Sequence, residues 1–192
     1  MTEETRGMTG AQEVFAMRWA NEADSTALGE LIRLAINTLQ ADVLTSAQVA
    51  ASHAVMGLDT QLIADGTYLL AERDGQIAGC GGWSRRATLY GGDHSADLRN
   101  PRLLDPARDP ARIRAMYTHP AFVRQGVGRR ILQGCEQAAA RSGFARAELM
   151  ATMSGLPLYQ AAGYQPIEPV EVIAAGVPVP MVRMGKTLIL QT

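Results

Sequence analysis

Two glycines, Gly126 and Gly128, stand two residues apart where a predicted helix begins in this 192-residue chain. A predicted strand over 112–118 precedes the run Arg124-Gln-Gly-Val-Gly128, and the helix follows at once. Such a turn points successive backbone N–H groups, together with the positive end of the helix dipole, at one place. Because glycine has no Cβ, a ligand can approach this backbone closely. The segment therefore suits a phosphate or pyrophosphate.

The local charge also favours an anionic ligand. Six arginines and one acid, Asp109, lie between positions 108 and 130. The whole chain, in contrast, has 18 basic and 19 acidic side chains and a net charge of −1. A glycine turn beside a solvated arginine face is the alternative interpretation. The succession of strand, turn and helix, combined with this charge, favours the ligand site.

Two familiar phosphate-binding loops do not fit the sequence. A Walker loop needs a glycine five residues before its Gly-Lys pair. The only lysine, Lys186, would place that glycine at Pro180. A dinucleotide fingerprint would need a third glycine where Ile131 stands. The sequence therefore predicts neither of these two nucleotide sites.

Two motifs resemble those of the GNAT superfamily of N-acetyltransferases. Val123-Arg-Gln-Gly-Val-Gly128 is similar to that family's Arg/Gln-x-x-Gly-x-Gly/Ala motif, with valine at the first position. Leu158-Tyr-Gln-Ala-Ala-Gly-Tyr164 is similar to its Phe/Leu-Tyr-x-x-x-Gly-Phe/Tyr motif, at the family's spacing. The run 179–186 is similar to the family's final strand. The resemblance is strongest over 113–164, and two motifs in the right order are more specific than either alone.

The resemblance implies acetyl-coenzyme A as the acyl donor. No metal is expected, because no Cys-x-x-Cys motif or Cys/His pair has the spacing of a zinc site. The backbone amides of 124–129 would bind its pyrophosphate, and the main chain of Met116 and Thr118 would hydrogen-bond the pantetheine arm. Thr152 stands where the family often has an asparagine that touches the cofactor. The implied cofactor-binding residues are Met116, Tyr117, Thr118, Arg124, Gln125, Gly126, Val127, Gly128, Arg129 and Thr152.

Tyr159 is the catalytic residue that the resemblance implies. When an amine attacks a thioester, the departing thiolate takes a proton, and a phenol within reach can supply it as a general acid. The alternative is a tyrosine that only packs on a short helix. The general base is not identified, since the strand over 112–118 holds no acid. Glu72, Asp93 and His94 are the remaining candidates for the general base. Loss of the amine proton through water is a further option.

The run Gly79-Cys-Gly-Gly-Trp83 leaves two interpretations open. Its glycines would make room for the acceptor or the acyl group, with Trp83, Tyr90 and Tyr117 as walls, or they would belong to a close-packed strand. Cys80 is a weak nucleophile candidate, because no histidine stands at a spacing that would activate it. A buried thiol is the alternative for Cys80.

The implied function is direct transfer of an acetyl or other short acyl group from acetyl-coenzyme A to a primary amine, in a ternary complex. The acceptor is a small-molecule or peptide amine that the sequence does not identify. A non-catalytic acyl-coenzyme A sensor or regulatory module is the alternative, favoured by the missing strand carboxylate and disfavoured by Tyr159. Nucleic acid is not expected as a partner, because the chain outside the arginine-rich stretch carries no excess of positive charge. The oligomeric state, including a homodimer, stays open.

The elements that would position these residues predict an α/β (α+β) fold. We expect a single GNAT-like domain over 13–192, with a mixed, twisted sheet of about six to seven strands flanked by about four helices. A flexible N-terminal arm over 1–12 would precede it. The segment 85–111 is expected as an irregular insertion between strands. The resemblance also implies a sheet that splits where the 112–118 strand meets the next strand.

Periodicity and capping residues predict the individual elements. The strands cover 14–19, 67–72, 76–83, 112–118, 145–151 and 179–190. Helices are predicted after Asp24 or Ser25, after Thr45, from Val127 to Ser142, and over 155–162 with Ser154 as N-cap.

Composition excludes several classes of protein. With 47% hydrophobic and 19% charged residues, the chain can bury a core and is not expected to be disordered. Cys80 and Cys135 are too few for a disulfide scaffold and are expected as buried thiols. The acidic start predicts no secretory signal, and the polar residues within the uncharged stretch 149–167 predict no membrane span. We expect a cytoplasmic protein without a membrane partner.

Overall fold

Seven strands form one sheet at the centre of the computed structural model, which describes residues 15–189. In chain order they are β1 (Ala16–Trp19), β2 (Tyr68–Arg73), β3 (Gln76–Ser84), β4 (Ala111–Thr118), β5 (Arg146–Thr152), β6 (Gln165–Ala174) and β7 (Val177–Thr187). Across the sheet the order is β1-β2-β3-β4-β5-β7-β6. Every neighbouring pair is antiparallel except β4 and β5, which run parallel. The arm predicted over 1–12 lies outside the described residues.

Five α-helices in this part of the chain cover the two faces of the sheet. They are α1 (Ser25–Leu39), α2 (Ser46–Ser52), α3 (Thr60–Ala64), α4 (Val127–Arg141) and α5 (Leu156–Ala161). Two buried apolar clusters divide them, with α1, α2 and α3 in one and α4 and α5 in the other. The mixed α/β fold predicted from the sequence is confirmed. Within residues 15–189, no helix is long and apolar enough to cross a membrane.

Regular patterns in the sequence account for most of these elements. On α1, Leu28, Ile32 and Ala35 recur at three- or four-residue steps and are buried. The β2–β3 hairpin turns through Asp74 and Gly75, which both have positive φ, as the favoured two-residue hairpin turn requires.

Three features differ from the sequence prediction. The sequence pattern misses β6, which Pro166 and Pro169 interrupt; β6 is an edge strand, where a missing backbone N–H is tolerated. It also misses the five-residue helix α3. The N-cap of α5 is Gly155 rather than Ser154, whose hydroxyl lies 3.2 Å from that of Thr152.

The separation of β4 from β5 opens the sheet. Only three pairs join the two strands: Ala111–Ala147, Arg112–Glu148 and Ile113–Leu149. Beyond them β4 bulges, because residues 115 and 116 stand opposite Gly81 alone, and Ala115 has a φ of +50°. The two parallel strands therefore diverge where the resemblance implies a split.

The segment between β3 and β4, residues 85–110, is held against α3 by a buried charge network. Asp59, the N-cap of α3, is fully buried and lies 2.6 Å from Arg114 Nη1 and 2.8 Å from Arg99 Nη1. Arg114, on β4, also donates to Gly91 O at 2.8 Å. One carboxylate therefore joins β4, α3 and the segment.

Replacing Asp59 with asparagine tests this network. Asparagine preserves the α3 cap but leaves the buried Arg114 without its counter-ion, so the free energy of unfolding should fall by about 3 kcal/mol. Urea unfolding measures this change. Asp105→Asn is the matched control, because Asp105 is exposed, lies 3.8 Å from Arg108, and should contribute less than about 0.5 kcal/mol. Equal losses in the two variants would contradict the account.

Candidate active site

A cleft of about 710 Å³ opens where β4 and β5 separate. One end is lined by the loop before α4 and by α5, and the other by α1 and the segment 85–110. Since these elements lie on opposite faces of the sheet, the cleft passes through the gap between the two strands. Two molecules can therefore enter from opposite faces and meet in the gap.

The loop before α4 presents unpaired backbone donors at one end of the cleft. Within residues 15–189, no atom accepts a hydrogen bond from the N–H groups of 124–129; the first amide with a partner is Arg130, which donates to Gly126 O at 3.1 Å. Arg124 and Gly126 have φ values of +65° and +81°, a pattern that forms an anion-binding concavity. Gly126 is also the N-cap residue and offers no side-chain cap. The loop could therefore hold an anion at the positive end of a helix.

Half of the arginines that surround this loop in the sequence remain available to an anion. Three are paired with carboxylates: Arg108, Arg112 and Arg114. Three others have no ion pair to a described acid: Arg124, Arg129 and Arg130. Of these, Arg124 and Arg129 line the cleft and leave its loop end positively charged.

The edge of β4 that faces β5 is unpaired beyond Ile113, where the last β4–β5 pair forms. Met116, Tyr117 and Thr118 line the cleft along this edge. The Met116 side chain fills the space over Gly81, where a Cβ would collide with its sulfur. An extended ligand can therefore lie beside β4 and hydrogen-bond its main chain as an added strand would.

Tyr159, on α5, forms part of the cleft wall and is 7% exposed. Its ring packs edge-on against that of Tyr164, with centroids 6.0 Å apart, and none of the hydrogen bonds among the described residues involves its hydroxyl. Burial raises the pKa of this hydroxyl above its ordinary value, so it is protonated at neutral pH. The phenol can therefore donate a proton to a group in the cleft.

The family comparison agrees with this geometry. The acetyltransferase (GNAT) domain matches residues 64–166, more than half of the chain. The chain belongs to the GNAT acetyltransferase family. No curated protein sequence matches it.

Solved GNAT structures share the fold. A GCN5-related N-acetyltransferase from Rhodopseudomonas palustris is 20% identical, with a TM-score of 0.67 over 91% of this chain and 96% of its own. The acetyltransferase yncA from Salmonella typhimurium, solved with acetyl-CoA, is 20% identical, with a TM-score of 0.60 over 93% and 96%. The PaiA N-acetyltransferase from Thermoplasma acidophilum, solved with coenzyme A, is 13% identical, with a TM-score of 0.59 over 90% and 98%.

The predicted walls of the GNAT cleft are only partly correct. Tyr90 and Tyr117 line it, whereas Trp83 is buried in the core. The space beside Gly79 is filled by α4, since a Cβ there would lie 2.7 Å from Val127 Cγ1. The glycines near Cys80 therefore belong to a close-packed strand and leave no room for a ligand.

Thr152 lines the cleft, but its hydroxyl already takes part in the turn before α5. It accepts a hydrogen bond from Gly155 N at 3.2 Å and lies 3.2 Å from Ser154 Oγ. The contact between Thr152 and a cofactor therefore stays a prediction.

None of the three base candidates lines the cleft. Glu72 pairs with Arg18 at 2.6 Å, Asp93 pairs with Arg99 at 2.8 Å, and His94 packs against a glycine of the α2–α3 loop. Among the described residues, no aspartate, glutamate or histidine lines the cleft. The same part of the chain contains no cluster of histidine, cysteine, aspartate or glutamate side chains that could hold a metal ion. The described wall of the cleft therefore offers an amine no carboxylate or imidazole as a general base.

Two polar residues that the sequence analysis does not single out also line the cleft, Gln40 and Arg114. Gln40 directly follows the apolar stripe of α1, so a polar side chain on a buried helix face is the signal that could have found it. Arg114 alternates with apolar residues of β4, and sequence alone predicts such a residue to be exposed, although it is 4% exposed here.

The two cysteines lie outside the cleft and are fully buried. Burial raises the pKa of the Cys80 thiol to about 12 and raises that of Cys135 as well. Because the thiolate is the nucleophilic form, Cys80 is not a nucleophile of this site, and the buried-thiol alternative is correct.

Both thiols should therefore be unreactive in the folded protein. At pH 8, a pKa of about 12 leaves roughly one Cys80 in ten thousand as thiolate. Titration with an aromatic disulfide reagent should detect less than about a tenth of a thiol per folded chain, and both thiols after denaturation in guanidinium. Rapid labelling of the native protein, assigned with a Cys80→Ala variant, would show that the burial is wrong.

Proposed function

We propose that this chain is an N-acetyltransferase that transfers an acetyl group from acetyl-coenzyme A to a primary amine, by direct attack in a ternary complex. The observation that carries the proposal is one cleft with free amides of 124–129 at one end and the protonated Tyr159 phenol in its wall. Membership of the GNAT family supports it. The fold shared with proteins solved with acetyl-CoA and coenzyme A adds further support.

The residues present fit coenzyme A as a ligand. A diphosphate carries negative charge and several acceptor oxygens, and the six N–H groups of 124–129 would donate to them. Arg124 and Arg129 would add charge-assisted contacts. The free edge of β4 at 116–118 would hydrogen-bond the amides of the pantetheine arm, and Thr152 would contact the arm from β5.

Tyr159 is the proposed general acid. Acetyl-coenzyme A would supply the acetyl group as a thioester. The amine nitrogen would form a bond to the carbonyl carbon, and the bond from this carbon to sulfur would break. Tyr159 holds the proton that the departing sulfur needs, so coenzyme A leaves as a thiol. The amine loses its own proton to water, and alignment of the reactants between β4 and β5 contributes much of the rate enhancement. No covalent enzyme intermediate is required, in agreement with the burial of Cys80.

A non-catalytic acyl-coenzyme A sensor is the second candidate function. It is favoured by the lack of a carboxylate in the described cleft wall and disfavoured by the free hydroxyl of Tyr159. The two functions differ in whether an added amine releases free thiol from acetyl-coenzyme A. Binding of the cofactor without such release, across a broad panel of amines, would establish the sensor.

We also propose an acceptor class and a cellular location for this reaction. The acceptor is a small-molecule or peptide amine, and residues 13–192 act as one acyltransferase domain in the cytoplasm. The two buried free thiols suit a reducing compartment of this kind.

Substitutions at Gly126 test the diphosphate site. A Cβ at this position meets no atom within 4 Å, but the φ of +81° strains any side chain, so Gly126→Gln and Gly126→Glu should each lose about 1–2 kcal/mol of stability. Only glutamate adds a negative charge beside the diphosphate. Calorimetry should therefore show a Kd for coenzyme A at least about tenfold higher in Gly126→Glu than in Gly126→Gln, with a gap that narrows as salt is added. Equal Kd values would place the diphosphate elsewhere.

Tyr159→Phe tests the general acid. The variant keeps the packing of the ring but removes the proton donor, so kcat should fall about a hundredfold or more while coenzyme A still binds. Tyr164→Phe is the matched control, because Tyr164 contacts the Tyr159 ring but does not line the cleft, and its kcat should stay within about twofold. Steady-state release of free thiol measures both. An unchanged kcat in Tyr159→Phe would disprove the assigned role.

A further inference from the structure

The end of the cleft opposite the amide loop has a mostly apolar wall, which Gln40, Tyr90 and Arg114 interrupt. Aliphatic and methionine side chains from α1, the α2–α3 loop, β5 and β7 line it: Ile36, Leu39, Val55, Met56, Met150 and Met181. We call this region the acceptor chamber, because it lies across the sheet from the proposed donor site. A wall of this kind favours a largely nonpolar ligand.

Gln40 interrupts this wall with an unsatisfied polar atom. It caps the C-terminal end of α1, is 4% exposed and lines the cleft. Its Nε2 donates to Met56 Sδ at 3.0 Å, while its Oε1 has no hydrogen-bond partner among residues 15–189. This orientation of the amide is the favoured one, because a thioether sulfur accepts hydrogen bonds but cannot donate them. A buried carbonyl oxygen without a donor is costly. A ligand in the cleft that supplies a donor would relieve this cost once the Gln40 side chain turns its oxygen toward the ligand.

The acceptor chamber offers no negative charge to a cationic ligand. Arg114 is the charged side chain that the described chain contributes to its wall, and its guanidinium pairs with Asp59. That carboxylate is fully buried and also contacts Arg99, so it is not available to a substrate. A second ammonium group on the acceptor would lose its hydration in the chamber without gaining a counter-ion.

On the basis of the acetyltransferase function proposed above, we infer that the acceptor is a primary amine with an apolar body and no second cation. It carries one uncharged hydrogen-bond donor, such as a hydroxyl group, which binds Gln40 Oε1. Gln40 is then a specificity-determining residue. Polyamines and aminoglycosides, which carry several cations, are poor acceptors under this inference.

Three series of linear probes separate these features. The series are alkylamines, amino alcohols and diamines of four to eight carbons. At the end remote from the reacting amine, an alkylamine has no hydrogen-bond donor, an amino alcohol has an uncharged donor, and a diamine has a charged donor. Thiol release from acetyl-coenzyme A gives kcat/KM for each. The best amino alcohol should exceed the alkylamine of equal length about fivefold, the effect of one neutral hydrogen bond, and the diamine by at least about tenfold.

Gln40→Met removes the carbonyl oxygen at nearly constant volume. The preference for amino alcohols over alkylamines should disappear in this variant, while the KM for acetyl-coenzyme A stays the same. The melting temperature of the free protein should change little, because the variant loses an oxygen that had no partner and one weak hydrogen bond from Nε2 to Met56 Sδ. A purely structural role of Gln40 would instead lower the melting temperature and affect all three series equally. Gln133→Met, an exposed glutamine on α4 outside the cleft, is the matched control and should retain the preference.

The outcomes distinguish this inference from the function on which it rests. Diamines equal to or better than amino alcohols, or an unchanged preference in Gln40→Met, would overturn the inference and leave acetyl transfer intact. If none of the probes releases thiol while calorimetry still shows coenzyme A binding, the transferase function fails, and the inference fails with it.

Discussion

The unpaired N–H groups of residues 124–129 are the feature on which the rest of the site depends. The start of a helix leaves backbone donors without intrahelical partners, and here the N-cap residue, Gly126, has no side chain to satisfy them. Such groups are stable only in water or against a ligand that accepts hydrogen bonds. The packing of Val127 and Ile131 against Gly79 fixes α4 on the sheet and holds these donors at the mouth of the cleft.

The divergence of β4 and β5 opens space beside the proposed anion site for a second reactant. It exposes the edge of β4 for an extended molecule and connects the two faces of the sheet. On the far face, the buried Asp59 ties the segment 85–110 to α3, and Gln40 lies in an apolar wall. An apolar wall without a carboxylate lowers the pKa of a bound amine and so favours the neutral, nucleophilic form. The missing general base is therefore compatible with catalysis.

Short-range patterns predicted the parts of the site that adjacent residues build. The strand, glycine turn and helix around Gly126 could be recognised because turn geometry depends on neighbours in the sequence. The edge strand β6 escaped prediction because its prolines are tolerated only where no further strand pairs with it. The contacts of Gln40 and Arg114 could not be predicted, because they form only when Met56 and Asp59, distant in sequence, are brought against them. Trp83 was misplaced because the helix that fills the space above its strand comes from much later in the chain.

Backbone amide NMR shifts during titration with coenzyme A test the central claim most directly. The amide signals of residues 124–129 should move together, and their hydrogen exchange should slow, because each free donor gains an acceptor oxygen of the diphosphate. Gly126→Glu should suppress this response. Unchanged amide signals over 124–129, with shifts concentrated elsewhere at saturating ligand, would contradict the account.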